Sequence, residues 1–75
     1  MEKILESSYK NFQFKIYDQV QQNGQFYLRI TITTPLISGS TYEYFLEPSF
    51  KCQTLEEATH LAKEHAIEHI ENKYF

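Results

Sequence analysis

Three features of this 75-residue chain have residue types and spacings that could do chemistry. His65 and His69 stand four apart within a helical pattern, the spacing that sets two imidazoles on one helix face as zinc ligands. Zinc needs at least one more protein ligand. His60 falls on the opposite side of the same pattern, and Asp18 or Cys52 could join only if the fold brought them close. The competing role for His65 and His69 is to flank the helix's apolar stripe, partly buried and hydrogen-bonded. On this reading the chain carries no metal and no other cofactor.

Asp18 is the polar member of an otherwise apolar strand face. A carboxylate aimed at a core is costly unless it is paired or sits at the rim. Paired with a histidine it would take the form of an acid–base site. A rim position on an edge strand, or a bulge, accounts for it more simply, and an inward charge on an edge discourages edge-to-edge association. Cys52 is the only cysteine, placed just before a helix start, where a thiol can be acidified. Its neighbours Lys51 and Gln53 supply no base, and nucleophilic catalysis needs one within hydrogen-bond reach. The expected role is that of a small buried apolar group. Gly24 and Gly39 are the only glycines, which leaves no Gly-rich phosphate loop and no nucleophile elbow. The chain is expected not to be an enzyme.

The elements that position these residues follow from periodicity. Met1, Ile4, Leu5 and Ser8 have helical spacing, which suggests a short N-terminal helix over residues 1–10. From Phe12 the period becomes two. Phe12, Phe14, Ile16 and Val20 alternate with polar residues, and so do Phe26, Leu28, Ile30 and Ile32. A third run, Thr41 to Glu47, sets Tyr42, Tyr44 and Leu46 against Glu43, Phe45 and Glu47. A two-residue turn at Asn23-Gly24 would match apolar rows with polar ones. The reading therefore takes a three-residue loop, Gln22 to Gly24, which pairs Val20 with Phe26, Ile16 with Ile30 and Phe14 with Ile32. The same matching sets Ile32 against Tyr42 and Ile30 against Tyr44, with Pro35 to Ser40 as the connection.

Pro48 ends the third strand. Thr54-Leu-Glu-Glu57 then opens a helix as a capping box. Leu55, Ala58, Ala62, Ala66 and Ile70 share its inner face, while Ile67 falls among polar neighbours. The expected fold is α+β: a three-stranded antiparallel meander packed against one C-terminal helix, in a single domain over residues 1–75.

Composition narrows the functional classes. One cysteine allows no disulfide within the chain and suits a reducing compartment. Neither a secretory signal nor an apolar run of membrane-spanning length is visible, so a cytoplasmic protein without membrane attachment is expected. Net charge is −3, not the basic footprint of a nucleic-acid binder. Six Tyr and six Phe make 16% of the chain aromatic, more ring area than one small core comfortably hides. The registers above line Tyr17, Arg29 and Phe45 across the sheet face opposite the helix, with Tyr27 beside them. Aromatic rings around a guanidinium suit the centre of a protein interface. They also suit base stacking, though here Lys15 and Arg29 are offset by Glu43 and Glu47.

The expected function is a non-catalytic interaction or regulatory module that binds a protein partner, itself, or both through Tyr17, Tyr27, Arg29 and Phe45. The alternative is a nucleic-acid-binding module using the same face. In outline, residues 23–28 and 54–63 resemble the hairpin and helix start of HicB-type antitoxins, whose short proline- and glycine-marked link is replaced here by Tyr42 to Gln53. With residues 1–10 helical, the element order would resemble that of double-stranded-RNA-binding domains, although Glu56 and Glu57 stand where those carry lysines. The three-stranded sheets of integrase arm domains share the outline and are normally basic. These likenesses lie in architecture, and no family is assigned.

Overall fold

The structure is a computed structural model that describes residues 2–75. Among the described residues the order is β1 (Glu2–Tyr9), β2 (Phe12–Gln22), β3 (Gln25–Pro35), β4 (Thr41–Leu46), β5 (Ser49–Lys51) and α1 (Leu55–Tyr74). The strands form one antiparallel sheet ordered β1-β2-β3-β4, with β5 pairing β3 beyond the end of β4. The class is α+β with a C-terminal helix, as expected, but the meander has four strands rather than three.

The fourth strand is the N-terminal segment expected to be helical. Glu2–Tyr9 pairs with β2 along its length, broken by a bulge between Lys3 and Leu5. Met1, part of that expectation, lies outside the described residues. Ile4 and Leu5 both pack against the core, so the spacing that suggested a helix comes from a bulged strand. A segment this short has little helical stability of its own, and pairing with a long neighbour prevails.

The first hairpin also differs. Gln22 pairs with Gln25 across a two-residue turn at Asn23-Gly24, whose φ angles of 53° and 75° are the positive pair that such tight hairpins need. That turn does mismatch the faces, as the sequence implied. The chain corrects it with a bulge at Gln19, after which Asp18 meets Leu28, Ile16 meets Ile30 and Phe14 meets Ile32. Val20, on the turn side of the bulge, is thereby thrown onto the polar face opposite Tyr27 and is 51% exposed, not inward.

The register of β3 with β4 is displaced by two residues from the expected one: Ile32 meets Tyr44 and Ile30 meets Leu46. The ladder runs on to Leu36, whose amide donates to the Ser40 carbonyl at 2.9 Å, so Ile37, Ser38 and Gly39 alone make the turn. A shift of two leaves every side chain on its expected face.

One face of the sheet and the small-residue stripe of α1 make the core. Phe14, Ile16, Phe26, Leu28, Ile30 and Ile32 bury against Ala58, Ala62, Ala66 and Ile70. Alanines spaced by four let the helix axis lie close to the strands. Ile67, expected among polar residues, is half-buried against this core. The C-terminal rings close one end, with Tyr74 4.6 Å and Phe75 5.8 Å from the Phe12 ring. The helix flank is thus mixed: Ile67 is half-buried against the core, whereas Tyr74 and, at 65%, Phe75 stay exposed.

Candidate functional site

Strand alternation sends the odd-numbered residues of β3 and β4 to the face that α1 does not cover. There the pairings set Lys3, Tyr17 and Arg29 in one row and Glu6, Lys15, Thr31 and Phe45 in the next. Phe45 thus sits one row away from Tyr17 and Arg29, a consequence of the two-residue shift, and Tyr27 stands opposite Val20 and Ser49. All four sequence-predicted residues share the face.

Arg29 bridges the rows. Its guanidinium carbon lies 4.4 Å from the Phe45 ring centroid, a cation–π stack. Its Nη2 donates to Glu47 at 3.3 Å, and the Gln19 amide donates to the same carboxylate oxygen at 3.1 Å. Gln19 and then Arg29 hold the Glu47 carboxyl below the ordinary carboxylate range. Arg29 Nε and the Thr31 hydroxyl are buried without a hydrogen-bond partner among the described residues. Around this centre Val20, Tyr27 (42% exposed) and Phe45 (52%) leave apolar surface bare. Val20 is the member that periodicity missed, because the bulge that turns it outward leaves no mark in the alternation.

The charges on the face are partly paired. Lys3 pairs with Glu6 at 2.6 Å and Arg29 with Glu47, while Glu43 accepts from Thr33 at 3.3 Å. Exposed pairs of this kind contribute little stability, and Lys15 and Lys51 stand on the same face outside the ion pairs of the described residues.

The other candidates are dispersed. His65 is exposed and His69 half-buried, and no group of three or more His, Cys, Asp or Glu side chains among the described residues could hold a metal ion. His69 instead ends a polar chain in which the Tyr74 hydroxyl donates to Tyr44 at 3.1 Å and Tyr44 meets His69 Nε2 at 3.1 Å. Burial, then Lys73 and His65, push the His69 pKa down. That favours the neutral ring accepting from Tyr44. Burial and the Tyr74 hydroxyl push the Tyr44 pKa up. Asp18 is half-buried on an interior strand, next to the bulge and opposite Glu2 and Leu28. The edge-strand explanation for it is corrected, since β1 lies outside β2, whereas the bulge is present. Cys52 is half-buried against the core, its thiol 3.5 Å from the Thr54 carbonyl.

No helix among the described residues is long and apolar enough to cross a membrane. Fold and face together define a small α+β module with a bare aromatic–arginine patch on its sheet. Comparison with protein-family models, curated proteins and solved structures returns no match for this chain.

Proposed function

We propose that the chain is a non-catalytic interaction module that binds a protein partner or another copy of itself through the open face of its sheet, with Tyr17, Tyr27, Arg29 and Phe45 as the contact. The observation that carries this reading is the Arg29–Phe45 stack set among exposed Val20 and Tyr27. Aromatic and arginine anchors surrounded by polar residues are the composition of interface centres. The Glu47 contact and the stack hold the guanidinium in place before binding, which lowers the ordering cost of association. The buried Arg29 Nε and Thr31 hydroxyl are two polar groups that water or a partner's acceptor could satisfy after a small side-chain movement.

The net charge of −3 and the acids Glu6, Glu43 and Glu47 on the face weigh against nucleic acid, whose binding draws on phosphate attraction. The test titrates the protein with single-stranded RNA and duplex DNA at low salt, alongside light scattering and capture of partners by the tagged chain. Selective protein capture or self-association with no salt-sensitive nucleic-acid binding supports the module reading. Affinity for either nucleic acid that falls steeply with salt overturns it.

A further inference from the structure

β4 ends the sheet, and neighbouring hydrogen bonds fix the direction of its backbone groups. The Leu28 amide donates to the Pro48 carbonyl at 3.1 Å, the Cys52 amide to Gly24 at 3.2 Å and the Leu36 amide to Ser40 at 2.9 Å. β4 and β5 continue one register against β3. Even-numbered residues from Ser40 to Cys52 therefore turn their backbone groups toward β3, and odd-numbered ones turn theirs outward. The missing N–H of Pro48 falls on the β3 side, so proline does not interrupt the outer row. Thr41, Glu43, Phe45 and Glu47 are all exposed, and among the described residues no strand lies beyond β4.

The opposite edge is built differently. β1 carries a bulge between Lys3 and Leu5, beside the Lys3–Glu6 ion pair. Bulges and edge lysines are devices that discourage pairing. β4 has an unbroken register and reads Thr-Tyr-Glu-Tyr-Phe-Leu, rich in strand-forming aromatics.

We propose that β4 pairs antiparallel with β4 of a second copy, about a two-fold axis at Tyr44, joining the two sheets into one. This goes beyond the face reading, because it uses the backbone of an edge rather than the side chains of a face. The second copy is favoured as occupant because the strand is complementary to itself in this register. Glu43 exchanges backbone bonds with Phe45 of the second copy and Thr41 with Glu47, while Tyr42 meets Leu46 on the helix side. No acid faces an acid. Centring on Glu43 or Phe45 would set Glu43 against its own counterpart or against Glu47, and like charges directly opposed are unfavourable. Centring on Tyr42 or Leu46 would carry the pairing past one end of β4. The Tyr44 register also covers Tyr42, which is 55% exposed.

The test is residue-resolved hydrogen–deuterium exchange of the full chain at micromolar and millimolar concentration, with sedimentation equilibrium on the same samples. The expected result is a dimer at high concentration in which the Glu43 and Phe45 amides gain protection, while Tyr44 and Leu46 are protected throughout. Glu43→Pro removes an outward N–H, which an edge strand tolerates, so this variant stays folded and loses the dimer. If it fails to fold, the wild-type exchange pattern decides alone. A monomer at every concentration overturns the proposal. So does a dimer that leaves those two amides unprotected or that survives in folded Glu43→Pro. Protection appearing only with another protein present also overturns self-pairing. Tyr27→Ser leaves this edge intact, so a failed face and a failed edge are separable.

Discussion

Thr54→Ala tests how the helix that covers the core is started. Thr54 is extended, with φ −135° and ψ 155°, and its hydroxyl accepts from the Glu57 amide at 3.1 Å. The Glu57 carboxylate reaches back to the Gln53 amide at 3.0 Å, one residue further than in the usual capping box. Alanine returns the Glu57 amide to water and frees the segment that anchors the carboxylate. Such a cap contributes about 1 kcal/mol. In a domain of this size that lowers the thermal midpoint by about 4–8 °C, read by far-ultraviolet circular dichroism. Thr54→Ser keeps the acceptor and should stay near wild type. If the alanine variant melts with the wild type, the hydroxyl does not hold the helix start and the account of α1 is wrong.

Deleting Gln19 should iron out the bulge, since Asp18 and Val20 then follow in a regular ladder. The fold should survive with a loss of about 1 kcal/mol as the half-buried Gln19 and its bond to Glu47 are removed, whereas unfolding would show that the bulge is required. Because the folded His69 pKa lies below its unfolded value, the contribution of neutral His69 is full above about pH 6.5 and is lost as pH falls through the folded pKa. His69→Gln should flatten the stability profile there, and an unchanged profile would refute the half-buried neutral ring. The lowered carboxyls of Glu47 and Glu71 act at lower pH, through the same sign. Ile67→Ala should cost about 1–2 kcal/mol in chemical denaturation, because the side chain is half-buried; no change would return it to the surface.

The helix, its cap and its alanine stripe were legible because the relevant signals are local: a hydroxyl three residues before a glutamate, and small residues four apart. The strand faces were legible for the same reason, and Tyr17, Tyr27, Arg29 and Phe45 fall on one face by parity alone. What escaped depends on partners distant in sequence. Ile4 and Leu5 look helical by spacing, yet both reach the core from a bulged strand whose pairing with β2 is a tertiary event. The turn at Asn23-Gly24 was set aside because it mismatches the faces, and no residue type marks Gln19 as the place where the chain absorbs that mismatch. The two-residue displacement of β4 came from a turn tighter than Pro35 suggested. It moved Phe45 by one row but kept its face, which is why Arg29 meets it on the diagonal rather than directly across.

The central claim is that the bare sheet face, and not the helix, makes the contact. It is tested most directly by the double variant Tyr27→Ser with Phe45→Ser, comparing thermal midpoint with partner capture. Neither ring belongs to the buried core, so the variant should fold with a loss of about 1–2 kcal/mol from cross-strand and cation–π contacts, and partner capture should disappear, while main-chain pairing at the β4 edge is left in place. A folded variant that captures its partner as the wild type does would contradict the account and direct attention to the groove along His65, Glu68, His69, Asn72 and Lys73.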